Sequence, residues 1–204
     1  MQEYRYTAAI YDPLLSSALR PIRNRITSLI KRYGYRSVLD VCCGTGEQLK
    51  LLKAQGIDGK GVDLSEAMLK VAGRGEHRAD CDRQDASKMA FADGAFDLAM
   101  TTFALHEKSG DTARAIIEEM LRVTAKGGDI LIVDYELDEN TSPFYRRLVY
   151  LIERIAGAEH YRNFRAYIEA GGLPALLRGT PLTEKKRYYF AGHSVVLLLL
   201  RKKG

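Results

Sequence analysis

The sequence predicts an α/β fold: a mostly parallel, seven-stranded sheet with helices on both faces and an antiparallel C-terminal hairpin. Three observations predict it. The hydrophobic period alternates between short strand-like runs and helical stretches over residues 37–135. The alternation recurs at short spacing, as it does where parallel strands are joined by crossover helices. Two further strand-like runs, 183–191 and 194–201, flank a turn at Gly192-His193 and read as a hairpin at the sheet edge.

Residues 4–33 read as mostly helical. Residues 37–42, Ser-Val-Leu-Asp-Val-Cys, form a short apolar run, the pattern of a strand buried on both faces. From Glu47 to Gln55 the pattern turns helical, with Leu49 and Leu52 on neighbouring turns and Gly56 as the stop. A second strand is expected at residues 58–63, after which Ser65 can cap a helix through Met68, Leu69 and Ala72. A charge-rich third strand falls within residues 78–84, and a fourth at 95–101. Asp111 is expected to cap an amphipathic helix that turns Ala113, Ile116, Ile117, Met120 and Leu121 to one face. Lys126-Gly127-Gly128 should end that helix, and residues 129–135 form the fifth strand. Between it and the hairpin, apolar positions at Phe144, Leu148, Ile152 and Ile155, then Tyr161, Phe164, Tyr167 and Ile168, predict helices over 142–177.

The 204 residues suffice for one domain with a real core, expected over 1–204. Hydrophobic and charged residues, 46% and 28%, are in globular proportion, which argues against disorder. The apolar run 195–200 is too short to span a bilayer, and no apolar signal core follows Met1, so the cytoplasm is the expected location. Cys42, Cys43 and Cys81 have neither a disulfide framework nor metal-ligand spacing; they are expected as free, buried small hydrophobes, with no metal. The net charge of +5 and pI near 9.0 fit an anionic partner or a membrane surface as well as an ordinary solvated basic surface.

Residues 38–46, Val-Leu-Asp-Val-Cys-Cys-Gly-Thr-Gly, carry the most chemistry. A strand runs into a glycine turn and a helix starts at once. Gly44 and Gly46 let a ligand lie against the backbone, and free N–H groups at the helix start can receive polar ligand atoms. Asp63 ends the next strand, near the ~20-residue separation expected of a carboxylate that grips a ribose. A dinucleotide fold would need a third glycine where Leu49 stands, and a phosphate-binding loop would need a Lys-Ser/Thr pair that is absent here.

Asp40-x-Cys42-x-Gly44-x-Gly46, Gly61-Val-Asp63-Leu-Ser-x-x-Met68-Leu, Asp85-Ala86, Phe96-Asp97-Leu and Leu121-Arg-Val-x-x-x-Gly127-Gly128 together resemble the class I methyltransferases. Within that class they look closest to the ubiquinone and menaquinone C-methyltransferases and related small-molecule enzymes. The resemblance runs from about Ser37 to Asp134, with Cys42 where the commonest pattern has glycine. It implies a Rossmann-like fold and S-adenosyl-L-methionine as cofactor, leaving S-adenosyl-L-homocysteine as product. It also implies that Asp40 and Gly44 hold the methionine end, with Cys42 and Gly46 shaping the turn. Asp63 would bind the ribose hydroxyls, Leu64 and Met68 would line the adenine, and Asp85 with Ala86 would receive the adenine amino group. Residues 1–33 would form a helical lid, and 142–177 a helical cap over the acceptor. An acceptor pocket is expected from Tyr4, Tyr11, Phe103, His106 and Tyr135, with His106 as candidate general base and Glu107 as its partner.

The expected acceptor is a small or lipid-like molecule, and basic segments beside apolar helices suit peripheral membrane contact. Thr101-Thr102-Phe103-Ala104 matches neither motif of the base-modifying enzymes, which disfavours nucleic acid. A nucleic-acid or protein methyltransferase and a non-catalytic cofactor-binding domain remain the alternatives.

Overall fold

The computed structural model describes residues 4–203, with the backbone alone for 4–18. In chain order the elements are α1 (Tyr4–Tyr33), β1 (Val38–Val41), α2 (Glu47–Lys53), β2 (Lys60–Asp63), α3 (Glu66–Ala72), β3 (Asp80–Arg83) and β4 (Phe96–Thr102). They continue with α4 (Gly110–Val123), β5 (Thr124–Tyr135), α5 (Pro143–Ile155), α6 (Ala158–Glu169), α7 (Gly172–Leu177), β6 (Leu182–Phe190) and β7 (Val195–Lys202). One seven-stranded sheet has the order β3-β2-β1-β4-β5-β7-β6. β1 to β5 pair in parallel, and β7 runs antiparallel to both β5 and β6.

The sheet centre follows from the apolar runs. β1 is buried at every residue and β7 at its first six, as strands covered on both faces must be. β3, at the sheet edge, alternates charged residues and is half-exposed, so its pairing with β2 rather than apolar burial holds it. Ser65 caps α3, accepting from the Met68 amide at 3.4 Å. The strand order reverses between the parallel neighbours β1 and β4, which makes the carboxyl ends of these two strands the expected crevice for a ligand.

Four local expectations are corrected. Ser109, not Asp111, caps α4, its hydroxyl accepting from the Thr112 amide. The buried face of α4 ends on Val123, while Leu121 is only half-buried. Lys126-Gly127-Gly128 does not end the helix: Thr124 already pairs with Phe96, its hydroxyl donates to the Met120 carbonyl at 2.6 Å, and the three residues form an irregular stretch inside β5. The segment expected as a lid is partly core, because Ile22, Ile26, Leu29 and Ile30 of α1 are buried with the sheet residues. α1 is further tied down by Arg25 over the Tyr188 ring at 4.5 Å and by Lys185 over the Tyr33 ring at 4.1 Å. The cysteines are half-buried and free, with Cys43 Sγ 3.5 Å from Cys81 Sγ.

Asp129 is fully buried in β5 and takes Lys185 Nζ of β6 and Arg201 Nε of β7 at 2.6 Å each, plus the Tyr35 hydroxyl. One carboxylate thereby joins the β5, β6 and β7 strands to the loop before β1. Among the described residues no helix is long and apolar enough to cross a membrane.

Candidate functional site

β1, β2 and β3 end side by side, and the turn after each places a functional side chain on one strip. After β1, Cys42, Gly44 and Gly46 all take left-handed backbone, at φ 60, 54 and 69. Cys42 bears the strain that a glycine there would avoid, roughly 1 kcal/mol. The two glycines serve different ends. A Cβ on Gly46 would meet Ala79 Cβ at 2.8 Å and Ala72 Cβ at 3.1 Å, so its bareness lets α2 dock. A Cβ on Gly44 would meet nothing within 4 Å, so that backbone faces open space.

Asp63, at the end of β2, accepts from Gly44 N at 2.9 Å with one oxygen and from Ser65 N at 2.8 Å with the other. These bonds fix the carboxylate and leave about two of its four acceptor positions for a ligand. Next to it Leu64 is 58% exposed, a large apolar side chain turned outward beside a carboxylate. Met68 is half-buried, Asp85 exposed and Ala86 buried. Asp85 accepts from the amide and hydroxyl of Ser87 at 2.9 and 2.7 Å, which hold its carboxyl below the usual range. Asp40 is buried within β1; burial first and the charge of Asp63 second push its carboxyl up to about 7. The sequence-predicted cofactor residues therefore stand together at the carboxyl ends of three adjacent strands.

On the other side of the switch point, the turn after β4 begins with Phe103 at φ 54. Phe103 and His106 come together on Tyr135 of β5, at ring distances of 5.5 and 4.8 Å. Phe164 and Tyr167 of α6 close over them, with the Tyr167 hydroxyl donating to the Tyr135 carbonyl at 2.8 Å. Phe164 and Tyr167 are buried, so this part of the expected helical cap is core, whereas Phe144 is 68% exposed. The side chains of Tyr4 and Tyr11 lie outside the described residues.

His106 is not placed as a general base paired with Glu107. It is 3% exposed, its Nδ1 lies 2.6 Å from Asp134 Oδ1, and its Nε2 lies 3.5 Å from Glu153 Oε2. Burial opposes the charged ring, but Asp134 and then Glu153 outweigh it and push the pKa up to about 10. A ring already protonated and enclosed by two carboxylates cannot take a proton from an acceptor at neutral pH. Asp134 also accepts from the amides of Leu105 and His106, at 3.0 and 3.3 Å, so it holds the whole turn. Glu107 instead faces His160 Nδ1, at 3.4 Å, and Lys108.

Asp134, Glu153 and His160 are the site residues the sequence reading missed. Asp134 had a readable signal, a carboxylate in an otherwise apolar strand. Glu153 shares the buried face of α5 with Val149 one turn earlier, so an acidic residue interrupting an apolar helical stripe was the available clue.

Comparison with known proteins matches residues 38–128 to the family described as a methyltransferase domain. The demethylmenaquinone methyltransferase of Paenarthrobacter aurescens is 34% identical over 113 residues, which are 55% of this chain and 43% of that protein. That of Geobacillus stearothermophilus is 35% identical over 127 residues, 58% of this chain and 53% of that protein. The chain thus spans about half the length of the curated relatives it matches. Among solved structures, a Pyrococcus horikoshii OT3 protein superposes with a TM-score of 0.66 at 21% identity, covering 100% of this chain and 92% of that one. An O-methyltransferase family protein from Burkholderia thailandensis gives 0.67 at 19% identity, covering 91% of this chain and 56% of that one. These likenesses bear out the seven-stranded Rossmann-like fold.

Proposed function

We propose that the methyltransferase domain formed by residues 38–128 binds S-adenosyl-L-methionine across the carboxyl ends of β1, β2 and β3 and methylates a small, ring-bearing acceptor of the demethylated quinone class. The observation that carries the reading is the strip from Gly44 to Asp85. It offers bare backbone, a carboxylate with acceptor capacity left, an exposed Leu64 and a second carboxylate, in the order that an amino-acid–ribose–adenine ligand requires.

When bound, the sulfonium supplies an already activated methyl group. The chain's task is alignment and the exclusion of water. Gly44 and the buried Asp40 receive the amino-acid end, and Cys42 and Gly46 keep the turn in shape. Asp63 receives the ribose hydroxyls, Leu64 and Met68 flank the adenine, and Asp85 with Ala86 receives its amino group. Phe103 and Tyr135, tilted 57° to each other, offer an apolar corner to an aromatic ring on the β4 side of the switch point. His106 acts as a positioning residue packed against Tyr135, and the acceptor's own acidity carries the proton chemistry. Helices within 142–177 cover the acceptor side.

A membrane-borne acceptor fits α5. Phe144, Leu151 and Ile155 are 68%, 55% and 66% exposed and fall on one helical face, beside the exposed Arg147 and Arg154. That combination suits an anionic bilayer surface. The test is methyl transfer from labelled cofactor to a demethylated naphthoquinone in vesicles. Incorporation into the quinone is the expected result. Cofactor binding without any transfer, to this or to a lipid extract, would overturn the catalytic reading.

A further inference from the structure

We propose that His106, Glu153 and His160 form a binding site for a divalent transition-metal ion, independent of the methyl-donor strip. The three residues come from separate elements: the turn after β4, the last turn of α5 and the first turn of α6. Their ligand atoms all lie within 4.8 Å of one another, with His160 Nε2 at 2.6 Å and His106 Nε2 at 3.5 Å from Glu153 Oε2.

Two features separate this cluster from an ordinary buried ion-pair network. Glu153 is 3% exposed, and its Oε2 faces the Nε2 atoms of His160 and His106, at 2.6 and 3.5 Å, without the directed geometry of a hydrogen bond to either. Poorly directed contacts leave part of a buried carboxylate's acceptor capacity unused, which is costly. A cation between the three atoms would satisfy it. The second feature is what lies behind each ring. Asp134 Oδ1 is 2.6 Å from Nδ1 of His106, and Glu107 Oε2 is 3.4 Å from Nδ1 of His160. Carboxylates beside both Nδ1 atoms orient each ring with Nε2 inward, so that a metal ion can take the place of the Nε2 proton, the usual support of metal-ligating histidines.

Two imidazoles and one carboxylate select zinc or a similar ion over magnesium or calcium, and leave coordination positions open. Ligand atoms about 2.0–2.1 Å from an ion stand roughly 3 Å apart, so His160 must move away from Glu153 by a few tenths of an ångström. Its side chain is 19% exposed, which gives it that freedom and gives the ion an entry path. Bound there, the ion replaces the Nε2 protons as the positive charge between Asp134, Glu153 and Glu107, and it clasps α5 and α6 onto the β4 turn.

The test uses tag-free full chain, stripped with chelator and titrated with Co2+ followed by visible absorption. The expected result is a one-to-one complex with nitrogen–oxygen ligand bands, displaced by Zn2+, and a Zn2+-dependent rise in melting temperature. His160→Ala changes a half-buried residue and should keep the fold, checked by circular dichroism, while weakening Co2+ binding by more than about a hundredfold. Glu153→Gln should do the same. Absence of Co2+ bands in the folded parent, or binding that survives both substitutions, would overturn the proposal. S-adenosylhomocysteine binding, measured on the same samples, should be unaffected by His160→Ala, so failure here is distinguishable from failure of the methyl-donor strip.

Discussion

Gly44 and Gly46 are two residues apart and share left-handed backbone, yet replacing each with alanine should have opposite consequences. At Gly44 the new methyl group enters empty space, so the fold bears only the left-handed strain, about 1 kcal/mol. For a domain of this size that is a loss of about 3 °C in melting temperature. At Gly46 the same strain is joined by a Cβ 2.8 Å from Ala79 Cβ and 3.1 Å from Ala72 Cβ. Both neighbours are buried alanines with no rotamer to yield, so overpacking adds about 1–3 kcal/mol and the drop becomes roughly 6–12 °C. Ligand affinity should follow the reverse order. The open space over Gly44 is where the cofactor's amino-acid end would lie, and a methyl group there displaces it. Thermal unfolding and calorimetry with S-adenosylhomocysteine, run on both variants, separate the effects. Parent-like affinity in folded Gly44→Ala would refute the placement of the ligand against that backbone.

Asp63→Asn should leave the fold intact and weaken S-adenosylhomocysteine by roughly ten- to a hundredfold, since one charge-assisted acceptor contributes about 1.5–3 kcal/mol; an unchanged dissociation constant would place the ribose elsewhere. Asp40 has a folded pKa raised from 3.8 to about 7, so its neutral form stabilises the fold below the unfolded value, and that contribution is lost as pH rises toward 7. Denaturant titrations from pH 4 to 8 should therefore show the stability of Asp40→Asn gaining on the parent's as pH rises, and parallel curves would contradict an ionising buried carboxyl. Leu151→Glu with Ile155→Glu should abolish sedimentation with anionic vesicles while sparing cofactor binding, and persistent sedimentation would remove α5 as the contact.

Much of this was legible beforehand, for identifiable reasons. Strands buried on both faces announce themselves as apolar runs, which is why residues 37–42, 95–101 and 194–201 read correctly within a residue or two, while 129–135 is the apolar part of a strand that starts at Thr124. The glycine turn and its two following carboxylates were legible because left-handed backbone at Gly44 and Gly46 and the regular strand–turn order leave a mark in sequence spacing. The α4 cap was misplaced because Ser109, Asp111 and Thr112 are all capable caps within one turn, and only the geometry selects Ser109. Lys126-Gly127-Gly128 looked like a helix stop because composition cannot distinguish a C-terminal turn from an irregular stretch inside a strand. The pairing of His106 was not legible: Asp134 meets it through the neighbouring strands β4 and β5 and Glu153 through the docking of α5, contacts that no local pattern encodes.

The placement of β7 between β5 and β6 constrains the order in which the molecule can assemble. β6 leaves α7 earlier than β7 in the chain, yet it has no seat until β7 has paired with β5, across separations such as the 72 residues between Asp129 and Arg201. Until then the β5 edge is an open ladder of unpaired amides and carbonyls, the form most prone to join another chain. Long-range closure of this kind is slow because loop entropy is lost before any contact compensates. Nascent chains should therefore pass through a sticky five-stranded intermediate, and chaperone dependence should concentrate there rather than at the ligand strip.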